Sequence, residues 1–192
     1  MIDIINNALN YLGQQSISSI DEQNDRARKC KQFYDVARLE LLRKQDWGFA
    51  QEEVILNKLP KENYLERKFV YAYPANALFI KKIYSKESIR LRRNFEYRVA
   101  VLDGQKVICS NEREPRAIIT KDVQDTTLFD VAFKEALSYL LATKVAMALT
   151  GDAEIYKLAM QQFQLAINDA TLVNKQEEPT VIHNESDFWK VR

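Results

Sequence analysis

Histidine, glycine and cysteine are scarce in this chain of 192 residues, and each scarcity excludes something. The one histidine, His183, falls in a C-terminal stretch without hydrophobic periodicity. A Ser-His-Asp or Cys-His centre needs an imidazole held rigidly by a folded scaffold, and a structured zinc site gathers several His or Cys ligands. Neither is expected, and His183 reads as a solvated surface residue. Gly13, Gly48, Gly104 and Gly151, the four glycines, all fall at boundaries between patterned segments, which leaves no Gly-rich loop to cradle phosphate. Cys30 and Cys109 match no C-x-x-C or metal spacing and read as buried free thiols from a reducing compartment. No catalytic, cofactor-binding or metal-ligating residue is assigned.

An excess of charge is missing too. With 28 Lys and Arg against 27 Asp and Glu the net charge is +1, so the chain as a whole has no strong pull on nucleic acid or anionic lipid. The opening Met1-Ile2-Asp3-Ile4-Ile5-Asn6 lacks the basic n-region of a signal peptide. The most apolar stretch, Phe129 to Leu149, carries Asp130, Lys134, Glu135 and Lys144, so a buried helix is expected there and no membrane span. Carboxylate pairs such as Glu52-Glu53 and Glu177-Glu178 exist, but a glycosidase acid needs a raised pKa in a shaped pocket that a sequence does not display. A cell-wall hydrolase is thus the weakest functional reading.

What is present describes a water-soluble α+β domain: 46% hydrophobic residues, 29% charged, and a length sufficient for one real core. Helical spacing runs over about 3–12 (Ile4, Ile5, Ala8, Leu9, Leu12) and about 22–46 (Ala27, Cys30, Tyr34, Ala37, Leu41), where Gly48 serves as the stop. It returns over about 128–149, whose apolar residues cover more than one stripe and mark the central helix, and over about 152–174 after a Gly151 cap. Between helices 2 and 3, residues 50–123 read as a β-rich insert. Its strands are separated by Pro60 and Pro74, and Asp103-Gly104 is the clearest hairpin signal. The expected architecture is an antiparallel bundle of about four helices carrying this insert, with residues 1–175 as one domain and 176–192 as an extended C-terminal arm.

Three features suit binding. The last helix has an inward seam (Tyr156, Met160, Phe163, Ile167, Ala170) and a second row, Ile155, Leu158, Leu165 and Leu172, that calls for a neighbouring copy. Between Lys81 and Arg98, seven positive residues oppose Glu87 and Glu96, a local balance of +5. Lys81, Lys82, Arg90, Arg92 and Arg93, with interleaved Tyr84, Phe95 and Tyr97, suit either phosphate contacts and base stacking or acidic surfaces on a neighbouring subunit. A nucleic-acid-binding module is therefore the second functional reading. The polar arm retains Phe188-Trp189 and Val191, aromatic and aliphatic anchors of the kind that order on a partner, or that fold back on their own domain.

The order of motifs resembles a known family. An opening helix ends in Leu12-Gly13, followed by Ala27-x-x-Cys30-x-x-x-Tyr34-x-x-x-Arg38-x-x-Leu41-Leu42 and a Trp47-x-Phe49-Ala50 turn. After the insert come Phe129-Asp130-x-Ala132-Phe133-x-x-Ala136-Leu137 and Leu149-Thr150-Gly151-Asp152. Over roughly residues 2–175 this resembles the tail tubular protein A family of short-tailed bacteriophages and related head-to-tail adaptor and tail accessory proteins. The resemblance implies a non-enzymatic virion protein at the head–tail junction, assembled in the host cytoplasm. It implies a ring, usually a dodecamer, beneath the portal protein and above a tail or nozzle protein, with genomic DNA passing through its channel during ejection. It further implies an arm that engages the portal, here through Val181, Ile182, Phe188 and Trp189.

Overall fold

Side-chain caps decide where two of the helices begin. The structure, a computed structural model, describes residues 1–85 and 96–177. Asn24 accepts a hydrogen bond from the Ala27 amide at 2.9 Å, so α2 spans Asp25–Lys44. Glu22, at which helical periodicity begins, belongs to the preceding turn, where its carboxylate accepts from the amides of Ser18 and Ser19. Asp130 likewise accepts from Phe133, and α3 spans Val131–Thr150. Helix α1 covers Ile2–Tyr11 and α4 covers Ala153–Glu177. At its C-terminus α2 stops at Gln45, whose backbone is extended, before Gly48 is reached. Gly48 instead opens a 3-10 turn, Gly48–Ala50.

Between α2 and α3 lie seven strands: β1 Gln51–Ile55, β2 Lys58–Tyr64, β3 Arg67–Ala72, β4 Ala77–Tyr84, β5 Tyr97–Leu102, β6 Gln105–Ser110 and β7 Arg116–Lys121. They form two antiparallel sheets, ordered β1-β7-β4 and β2-β3-β6-β5, which makes the described chain α+β. Because β1 pairs with β7, the β region leaves the helices and returns to them through adjacent strands. Pro60 does not separate strands. It lies inside β2, an edge strand whose register shifts between Lys58 and Glu62, where a missing N–H breaks no interior ladder. The Tyr64 hydroxyl donates to the Val101 carbonyl at 3.1 Å, so β2 and β5, the two edges of this sheet, lean together over Val70, Val107 and Cys109.

Helix α3 packs against α1, α2 and α4. Ile5, Leu9, Leu41, Leu137, Leu141 and Phe163 are among the residues of the shared core. Trp47 is wholly buried, and its indole N–H donates to the Leu41 carbonyl at 2.8 Å. Phe133 meets Trp47, Phe49 and Phe129 at ring-centre distances of 4.9, 5.0 and 4.6 Å. Burying rings of this size stabilises by about 2 kcal/mol each, and the cluster fixes the W-x-F-A turn against the start of α3.

A charged clasp joins helices to sheets. The Arg38 guanidinium is buried on α2 and donates to the Asp122 carboxylate, to the Val123 carbonyl at 2.8 Å and to Asp35 at 3.2 Å. Asp122 follows β7 directly, so this one side chain holds the returning strand against α2. Lys81 of β4 reinforces the seam by pairing with Asp46 at 2.8 Å.

Candidate functional site

Gly151 turns the chain from α3 into α4. It adopts the left-handed conformation, φ +65°, that glycine reaches without a Cβ penalty, and its amide bonds the Met147 carbonyl. Asp152 then accepts from the Glu154 amide at 2.8 Å, and α4 runs back along α3. The inner side of α4 buries Ala159, Phe163 and Ala170 against the core, with Tyr156, Met160 and Ile167 packed beside them.

Its outer side carries Leu158, Leu165 and Leu172, which are 54%, 57% and 61% exposed. Seven residues fall only about 20° short of two helical turns, so the three leucines form a nearly straight row roughly 20 Å long. Ile155, expected in the same row, packs half-buried against the core instead. Its position on the helix turns it toward α3.

Beside Leu165, α3 and α4 enclose an open groove of about 540 Å³. Val131 and Tyr139 of α3 face Leu165 across it, and Asp130, Glu135 and Asp169 supply three carboxylates to its lining. Among the described residues no Lys or Arg lines it. Val131 is 80% exposed, and Leu128 just before α3 is exposed too, so apolar surface continues past the groove. Tyr139 stacks on Tyr11 of α1 at 4.1 Å. Burial, with help from the hydrogen bond to Tyr139, pushes the Tyr11 phenol up to about 12, so it stays neutral at physiological pH. The site thus combines aliphatic walls, an aromatic side chain at Tyr139 and a one-signed acidic rim.

No family model matches the chain, and no curated protein matches it.

Lys82 is exposed, with its ammonium 5.9 Å from the Tyr84 ring centre, and Arg98 is exposed on β5. Lys81 is engaged by Asp46 and is not available as part of an open basic surface. Arg90, Arg92 and Arg93 lie outside the described residues, as do Val181, Ile182, His183, Phe188 and Trp189. Cys30 and Cys109 are free and buried, and burial pushes both thiols up, Cys30 to about 11. Glu53 accepts from the Tyr84 hydroxyl and the Arg116 guanidinium, which hold its carboxyl below the usual range, opposite to what a general acid needs. Among the described residues no group of three His, Cys, Asp or Glu side chains could hold a metal ion, and no helix is long and apolar enough to cross a membrane.

Sequence reasoning missed the groove. Val131 counted there as one more apolar position of a central helix, yet it sits at the first turn, where no neighbour covers it. The signal available was the pattern Asp130-Val131-x-x-x-Glu135 facing Leu165-x-x-x-Asp169, legible only once the Gly151 turn sets α3 and α4 side by side.

Proposed function

We propose that this chain is the repeating subunit of a head-to-tail adaptor ring of a short-tailed bacteriophage. The ring sits beneath the portal protein, extends the DNA channel and joins the head to the tail or nozzle protein below. The observation that carries the reading is the exposed row Leu158, Leu165 and Leu172 on α4, an apolar face that the subunit's own core leaves uncovered. Burying the exposed half of each leucine against a neighbour contributes about 1 kcal/mol, or about 3 kcal/mol per lateral contact, repeated at every contact around a ring. The order of sequence motifs, which resembles the tail tubular protein A family, supports the same reading. In it the four helices form an antiparallel bundle that makes the ring wall, and residues 176–192 form the arm that grips the portal. Each copy adds one arm, so weak single contacts multiply. Nothing in this role calls for a catalytic step.

The test uses the full chain, alone and with portal rings, by light scattering and negative-stain imaging. The wild type is expected to form closed rings, alone or on portals. Changing Leu158, Leu165 and Leu172 together to Lys is expected to leave a folded subunit that no longer assembles. Removing residues 176–192 is expected to abolish portal attachment while the fold survives. Rings that form unimpaired with three lysines on α4 would refute the reading.

A further inference from the structure

The acidic groove needs an occupant, and the ring reading, on which this inference rests, supplies a second copy of the same chain. We infer that the groove between α3 and α4 receives the basic segment joining β4 to β5 of the neighbouring copy, residues 82–98. The groove presents Asp130, Glu135 and Asp169 around Val131 and Leu165. The segment from Lys82 to Arg98 carries six positive residues against Glu87 and Glu96, and its sequence interleaves Ile89, Leu91 and Phe95 with Arg90, Arg92 and Arg93. Opposite charge and shared apolar content therefore match, in a chain whose total charge is only +1.

The topology favours contact between copies over contact within one. Residue Ala77 pairs with Lys121 next to the Arg38 clasp on the helices, whereas Tyr84 pairs with Arg116 at the other end of the ladder. Strand β4 thus rises about 20 Å along the ladder, from the Ala77 end that lies against the helices to Tyr84. An excursion of ten residues that leaves from Ser85 and returns to Glu96 reaches outward at most about 17 Å. Lys82 and Arg98, at the two roots of the segment, are both exposed. The groove lies on the last two helices, whereas the segment is rooted in β4 and β5, so a pairing between copies is heterologous and can repeat from copy to copy around a ring.

Charge reversal tests the pairing in the full chain. Glu135→Lys with Asp169→Lys reverses the groove, Arg90→Glu with Arg92→Glu reverses the segment, and a third variant carries all four changes. Sedimentation velocity at about 50 mM and about 500 mM salt reads assembly. Wild-type association is expected to weaken with salt. Each half-reversed variant is expected to lose about 100-fold in association constant, and the fully reversed chain to recover to within about tenfold of wild type. That recovery also shows that the half-reversed chains are folded. If the fully reversed chain is as weak as its parents, or the half-reversed chains assemble like wild type, the inference is overturned. Loss of DNA binding on segment reversal with assembly intact overturns it in favour of a DNA contact. A Val131→Cys thiol shielded from alkylation in the monomer, and unshielded by removing residues 178–192, overturns it in favour of the chain's own arm. Assembly that responds only to lysines at Leu158 and Leu172 keeps the ring reading and overturns the groove. A wild type that stays monomeric even on portals overturns both.

Discussion

Replacing Arg38 with Met should cost about 3 kcal/mol of folding stability, and the reason lies in which groups lose a partner. The guanidinium is 2% exposed, and methionine fills most of its volume, so little of the cost comes from a cavity. The Val123 carbonyl, in a residue that is itself buried, loses the donor 2.8 Å away, and stranding such an acceptor costs about 1.5 kcal/mol. The charge-assisted bond to Asp122, whose side chain is 33% exposed, adds about 1 kcal/mol after solvent screening. Asp35, 74% exposed, adds a few tenths. The methyl thioether restores none of these. Urea unfolding at pH 7 measures the loss as a shift in midpoint at constant slope. Arg38→Lys keeps the charge but not the fork, so about 2 kcal/mol should still be lost. Combining Arg38→Met with Asp122→Asn should fall short of additivity by about 1 kcal/mol. Hydrogen exchange should speed up first at the β7 amides near Lys121, where the clasp holds the sheet. A loss below about 1 kcal/mol for Arg38→Met would refute the idea that this side chain ties the β region to the helices.

Further outcomes follow from strain, capping and titration. The β2–β3 hairpin turns through Leu65 and Glu66, both in the left-handed region at φ 50° and 62°. Replacing them with Asn and Gly should therefore raise stability by about 1 kcal/mol, or the melting midpoint by roughly 3 °C, and no gain would mean that the turn carries no strain. An added Cβ at Gly151 meets nothing within 4 Å, so Gly151→Ala should cost only the backbone term, about 1 kcal/mol in urea. A loss above about 3 kcal/mol would point to a packing role. The Glu53 carboxyl is depressed by Tyr84 and Arg116, so its contribution is complete above its ordinary value near 4.5 and fades as pH falls through the lower folded value. Glu53→Gln should flatten that acid limb of the stability curve, and an unchanged limb would contradict the assignment.

The α+β class was legible because its signals are local. Period-3.6 patterns and Gly151 mark the helices, and Asp103-Gly104 forms the tight turn of β5 and β6, with both residues at positive φ and Leu102 paired with Gln105. Signals that depend on distant partners were not legible. Nothing in Leu65-Glu66 announces a two-residue turn, since neither residue favours positive φ, and the ladder on either side imposes it. Pro60 reads as a breaker until its strand proves to be an edge. Arg38 stands among the apolar positions Tyr34, Ala37 and Leu41 of its helix, but the partners through which it holds the sheet, Asp122 and Val123, lie more than eighty positions away. For the candidate site, helical spacing exposed the row of Leu158, Leu165 and Leu172, while the turn placing Val131 opposite Leu165 had to come from the structure.

Electron microscopy of the purified full chain, alone and mixed with portal rings, addresses the central claim most directly. The account requires closed rings with an open centre in which α3 and α4 face the next subunit. A single globule that never associates, with its α4 leucines open to solvent at every concentration and on portals, would contradict it.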